Sequence, residues 1–199
     1  MTSFLDSLRG DHETPLSRLG SSKALYALTA GDMNADAVRA AAAADASAAA
    51  NLFDEWTAAE SSGDAATHFA DIAETARSHL DTVNADDESD APQLYDVLAE
   101  FETTDERLGG ALARVLVSLK ATEQMVGFFI GDADPKSANT FRTLKSDLQD
   151  QLEALAEAVD ELVDDEALAR TAADAVIQSA YDEYVETLEG MGIKPKNVC

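Results

Sequence analysis

The sequence predicts an all-α protein built from long helices packed as a bundle, and three observations carry that expectation. Apolar residues recur at steps of three and four almost throughout the chain, the period of an amphipathic helix and not of a strand. There are only four prolines in 199 residues, and Pro15, Pro92 and Pro135 sit where a first helical turn should begin. Alanine- and leucine-rich faces then supply the small side chains that let helices approach closely.

Taken in order, Pro15 after Thr14 opens a helix to about Thr29, closed by Gly31, within an N-terminal helical segment spanning 1–31. Asn34 caps a long second helix to about Glu60, with Val38, Ala42, Ala49, Leu52, Trp56 and Ala59 as its apolar stripe. Ser61-Ser62-Gly63-Asp64 breaks it, and a third helix to about Val83 turns Phe69, Ile72, Ala76 and Leu80 inward, so that 34–84 forms a helix pair. Asn84 to Asp90 is almost entirely polar and reads as a surface connection. A crossover spanning 85–104 contains it, together with a short helix from Pro92 to Glu102. Thr103-x-x-Glu106 has the capping-box spacing and starts a helix that ends at Gly131, with Leu108, Leu112, Val115, Leu119, Val126 and Phe129 on one face. Asp134 and Pro135 begin the next helix, which carries Phe141, Leu144, Leu148, Leu152, Leu155 and Val159 to about Leu162. The last runs from about Asp165 to Glu189 with Val176, Ala180, Tyr184 and Leu188 inward, and Gly190 or Gly192 ends it. The bundle therefore closes over 105–190, the tail 191–199 is irregular, and 1–199 is one domain.

Composition bounds what such a bundle can do. Hydrophobic residues make up 46% of the chain, enough to fill a core and to exclude a disordered polymer. The formal net charge is -25, with 39 acidic against 14 basic side chains. A nucleic-acid binder needs a basic face to displace counterions, and no Lys/Arg cluster supplies one, so direct nucleic-acid contact is not expected. The acidic residues are dispersed over every segment and do not form a tail. Such dispersal points to a halophilic cytoplasm, where molar salt screens charges beyond roughly 3 Å and makes self-repulsion tolerable. The N-terminal residues Met1 to Asp6 show no basic-then-apolar leader. The longest strongly apolar stretch, near Val126 to Ile130, is far short of the ~20 residues that cross a bilayer. A cytoplasmic protein without membrane contact is expected. Cys199 is the sole cysteine, which excludes an internal disulfide. As the last residue it is a candidate redox or dimer contact, although a reducing cytoplasm favours a passive thiol.

Two long helices, a polar crossing of about twenty residues and further long helices follow the order of a ferritin-like bundle. Gly63-Asp-Ala-Ala-Thr-His-Phe-Ala-Asp-Ile-Ala-Glu-Thr-Ala-Arg-Ser-His79 resembles the second bundle helix of rubrerythrin-like proteins, where a small-residue turn precedes a helix carrying Glu-x-x-His. Asp11 to Thr29 and Ala180 to Pro195 resemble the two ends of a haloarchaeal family described as rubrerythrin-like, some members of which carry a transcription-antitermination label. The resemblance implies a ferritin-like four-helix bundle with additional N-terminal and crossover helices. It also implies a di-iron site, from which this chain departs. Its histidines are His12, His68 and His79 alone, and no later helix carries one. The residue three before His79 is Ala76, while Glu74 lies roughly 140° away around the helix. The paired Glu-x-x-His arrangement cannot be assembled, and no cofactor is expected.

The expectation left standing is a non-catalytic interaction or regulatory module, a homodimer with a possible further protein partner. One alternative is a residual metal-binding or redox protein that holds iron, manganese or zinc on Glu60, His79 and Glu123, since three ligands with an open position suffice. Glu123 falls inside an apolar stripe, where a charge must be paired, coordinated or neutralised, or else sits at the edge of the stripe and reaches water. Glu60 ends its helix one turn after Trp56, and its plainer reading is a solvated terminal residue. The second alternative, an adaptor in transcription antitermination, comes only from the resemblance. Ser21-Ser22-Lys23 reads as a mid-helix run without a histidine, and Gly109-Gly110 lacks the lysine spacing of a phosphate loop. Trp56, Phe128 and Phe129 read as core.

Overall fold

The computed structural model describes residues 3–85 and 89–195. Among them lie nine helices and no strand: α1 (Phe4–Asp11), α2 (Glu13–Leu19), α3 (Ser22–Leu28), α4 (Ala35–Ala59), α5 (Gly63–Val83), α6 (Leu94–Ala99), α7 (Thr104–Gly131), α8 (Pro135–Leu162) and α9 (Glu166–Gly190). The all-α expectation holds. The candidate redox or dimer contact, Cys199, lies outside the described residues.

The long helices start where side chains can satisfy their first free amides. Asn34 accepts from the amide of Ala37 at 2.9 Å, and Asp134 accepts from that of Ser137 at 3.0 Å with Pro135 in the first turn. Thr103 and Glu106 form the reciprocal capping box that their spacing predicts. Ser62 caps α5, and Asn84 ends it in the left-handed region at φ 50.

The α4–α5 hairpin stands beside the α7–α8 hairpin, with α5 facing α8 and α4 facing α7. Helix α9 lies along another side of α7, while α2, α3 and α6 cover the remaining flanks. Every residue from Leu108 to Leu119 is therefore buried, Arg114 included. Close approach requires small residues here. A Cβ on Gly109 would stand 2.1 Å from the carbonyl oxygen of Ala169 on α9, and one on Gly110 would stand 2.5 Å from the ring of Phe101. Gly109-Gly110 is thus a packing feature of a central helix.

Two apolar clusters fill the bundle. The larger gathers Phe53, Trp56 and Phe69, with Phe53 and Trp56 edge to face at 5.0 Å, and runs along α7, α8 and α9. The smaller joins Leu25, Val38, Phe129 and Phe141 at the α7–α8 turn, where the two phenylalanine rings stack at 5.0 Å. Phe128 packs on its margin, half-buried.

Three local expectations are corrected. The single helix expected from Pro15 to Thr29 is two short ones, α2 and α3, preceded by α1. The chain breaks at Gly20 and Ser21, where a Cβ on Gly20 would approach Lys120 Cδ to 3.1 Å and Ser21 Oγ donates to the Arg18 carbonyl at 2.6 Å. Ser21-Ser22-Lys23 therefore spans a helix break, and Pro15 lies in the first turn of a helix preceded by His12, not Thr14. The crossover helix covers only Leu94–Ala99, because Phe101 leaves it to pack on Gly110 and Trp56. The stripe of α4 ends at Trp56, and Ala59 is exposed.

Gly109→Ala should destabilise the protein by about 1–3 kcal/mol, the range for overpacking. Gly127→Ala, on the same helix with nothing within 4 Å of the added methyl, should stabilise it by roughly 0.5–1 kcal/mol. Denaturant melts of both variants in constant salt test the central packing of α7.

Candidate functional site

Polar side chains converge where the two hairpins face each other. Asp45 projects from α4, Tyr95 from α6, and Arg114 and Ser118 from α7. The Arg114 side chain, 4% exposed, donates to Asp45 Oδ2 at 2.7 Å and through Nε to the Tyr95 hydroxyl at 2.9 Å. The Tyr95 hydroxyl donates in turn to Asp45 Oδ1 at 2.7 Å, and Ser118 Oγ donates to Asp45 Oδ2 at 3.0 Å. Burial opposes the charge on Arg114, but the Asp45 carboxylate and the Tyr95 oxygen outweigh it and raise its pKa further. Burial first, despite the opposing Arg114 charge, holds the Tyr95 phenol well above its ordinary pKa, so it remains a donor.

Beside this network, His79 of α5 meets Asp147 of α8 at 3.0 Å between Nε2 and Oδ2. Burial lowers the imidazole pKa, and the Asp147 carboxylate offsets that only in part. In its neutral form the ring donates from Nε2 to Asp147 and stitches the hairpins together.

The other two metal candidates lie elsewhere. Glu60 is not a solvated terminal residue: its side chain is 2% exposed. It accepts from the amides of Ser61 and Ser62 at 2.8 and 3.1 Å, from Thr104 Oγ1 at 2.9 Å and from Arg107 at 3.4 Å. Burial alone would raise its pKa, but these four bonds together lower it. Glu60 thereby ties the α4–α5 turn to the start of α7, with the Arg107 guanidinium 5.8 Å from the centre of the Trp56 ring. Glu123 lies between Lys120 and Lys145, 3.4 Å from each, at the half-exposed edge of its helix. About 28 Å of helix separates Thr104, which holds Glu60, from Glu123. Glu60, His79 and Glu123 are not brought together. Among the described residues no three His, Cys, Asp or Glu side chains form a group able to hold a metal ion. The facing helices present an arginine and its partners where carboxylates would have to converge, so these residues do not fit a di-iron centre.

Comparison with protein-family models, curated proteins and solved structures returned no match. The residues themselves must carry the functional argument.

The residues that define the seam leave traces in the sequence. Asp45 occupies the gap in the α4 stripe, three after Ala42 and four before Ala49. Gln151 stands likewise in α8, three after Leu148 and four before Leu155. A polar residue on the beat of an apolar stripe is the signal in both cases. Arg114 leaves a weaker trace, because a helix buried on all sides has no polar face against which an inward charge stands out.

Arg114→Met should cost about 1–3 kcal/mol by leaving Asp45, whose side chain is 25% exposed, and the Tyr95 hydroxyl without their cation. Adding Asp45→Leu should recover much of that loss, and a double-mutant cycle from denaturant melts measures the coupling. A pH dependence follows from His79. Its folded pKa is lowered, so the stability it contributes is complete above about 6.5 and is lost as pH falls from there through the folded pKa. Melts at several pH values between 7.5 and 5 should show that decline, and His79→Gln should flatten it.

Proposed function

We propose that this protein is a ferritin-like helical bundle without a catalytic metal, acting as a homodimeric interaction or regulatory module in a halophilic cytoplasm. The order of its elements supports the ferritin-like reading: two antiparallel hairpins, α4–α5 and α7–α8, joined by a crossover that contains α6. The observation that carries the non-catalytic reading is the buried Arg114. A fixed cation bonded to Asp45 and Tyr95 uses the inward-facing carboxylate that metal chemistry in the seam would need. His79 is committed to Asp147. The remaining acidic side chains lie mostly on the outer faces, consistent with a net charge of -25 screened by molar salt.

The dimer reading draws on the end of the bundle that holds the α7–α8 turn. Leu28, Met33 and Ile130 are large apolar residues at 39%, 41% and 55% exposure, and they belong to the segments that meet there. Among the described residues no helix is long and apolar enough to cross a membrane.

Sedimentation in molar salt, combined with elemental analysis after growth with iron, manganese and zinc, tests this reading. A dimer carrying substoichiometric metal is the expected result. Near-stoichiometric metal lost in a His79→Ala variant would overturn the non-catalytic part, and a monomer at micromolar concentration would overturn the dimer. Dialysis to millimolar salt should loosen or unfold the protein through self-repulsion, read as lost helical circular dichroism.

A further inference from the structure

A cavity of about 120 Å³ runs along the seam between the hairpins. Its walls are mainly apolar, with Ile72 and Ala76 from α5, Val117 and Met125 from α7, and Leu144 and Leu148 from α8. Most polar side chains on its wall are already engaged. Arg114 is bonded to Asp45 and Tyr95, Ser118 to Asp45, Thr122 to the Ser118 carbonyl, and His79 to Asp147. Gln151 is different. Its Nε2 and Oε1 each expose less than 1 Å² and find no hydrogen-bond partner.

An unpaired buried amide costs about 1–3 kcal/mol, so its place on the wall of a cavity requires an explanation. An apolar cavity of comparable size, about 150 Å³, holds benzene, whereas a buried water needs two to four polar partners. Arg114, Ser118, Thr122 and His79 are bonded within the fold, and the wall is otherwise mainly apolar. A primary amide presents one acceptor and two donors from one planar group. Its best complement is another uncharged group that both donates and accepts in one plane. A carboxylate offers only acceptors and would enter a low-dielectric seam in which the arginine is already neutralised.

We propose that the seam cavity binds a small, mainly aliphatic molecule with an uncharged carboxamide or protonated carboxyl head, which pairs with the Gln151 amide while its hydrocarbon part fills the apolar walls. The inference does not depend on the interaction role proposed above, because its readout is ligand binding and not assembly.

Isobutyramide is the probe, titrated into the full chain in molar salt and followed by calorimetry and amide NMR shifts. Saturable binding at about 1 mM is expected, with shifted resonances on α5, α7 and α8, and with isobutyrate at pH 7.5 binding at least tenfold more weakly. Gln151→Leu should retain the helical spectrum, raise the melting temperature of the free protein and weaken isobutyramide binding roughly tenfold or more. Ala76→Val, which narrows the cavity from the α5 wall, should weaken isobutyramide and isobutyrate alike. Absence of saturable binding overturns the proposal. So does equal binding by Gln151→Leu, or a lowered melting temperature in that variant, which would assign Gln151 a purely structural role.

Discussion

The buried charge of Arg114 is the constraint to which the rest of the bundle conforms. Taking a guanidinium out of water costs several kcal/mol even after relaxation, and only a close carboxylate with further hydrogen bonds offsets that. Asp45 from α4 and Tyr95 from α6 supply both, at 2.7 and 2.9 Å. Three helices distant in sequence are thereby held in one register, since a slip of any one leaves a charge or a phenol unpaired. Ser118 donates to Asp45 Oδ2, and the tyrosine hydroxyl donates a hydrogen bond to Oδ1 of the same carboxylate. Apolar packing could stabilise the seam as well, but it would specify the register less sharply, which is the best-attested use of a buried ion pair.

The centrality of α7 explains why that charge is buried at all. A bundle helix ordinarily keeps one solvated face. Here α9 covers the side of α7 that would otherwise meet water, and Gly109 lets the two backbones come into contact. Arg114 thus has no route to solvent and must be satisfied inside. The N-terminal helices extend the same cover. Arg170 of α9 bonds to Ser7, Asp11 and Asp174, and Arg18 bonds to the Tyr181 hydroxyl. Among the described residues Arg39, Arg77, Arg107, Arg114, Lys120, Lys145 and Arg170 pair with carboxylates. The scarce cations are spent at joints between elements, and the acidic excess is left to the surface.

What the sequence revealed follows from which physics is local. Caps are local, and Asn34, Thr103 with Glu106, and Asp134 with Pro135 could each be read from spacing alone. Long apolar stripes are nearly local, so α4, α5, α7, α8 and α9 were legible to within a residue or two. The break at Gly20 was not, because it depends on Lys120 from another helix, and neither was the shortening of α6, which depends on where Phe101 packs. Glu60 illustrates the same limit. Its sequence position at a helix end suggests a solvated group, yet Thr104 and Arg107 arrive from across the chain and bury it. Histidine count and spacing were enough to argue against a paired Glu-x-x-His site. The arginine that occupies the seam instead was invisible, since nothing in its neighbourhood marks which way it points.

The seam also separates two kinds of polar residue that a residue-type inventory would pool. Asp45, Tyr95, Arg114, Ser118, His79 and Asp147 answer one another, and a group satisfied within the fold has nothing left to offer a ligand beyond shape. Gln151 occupies an equivalent stripe position in α8 and has no partner. An apolar side chain there would continue the Leu144, Leu148 and Leu155 face without the cost of an unpaired amide. The fold therefore tolerates a local destabilisation at a position on the cavity wall. That asymmetry, and not the total of polar groups in the interior, distinguishes a seam that merely holds two hairpins together from one that also has room for an occupant.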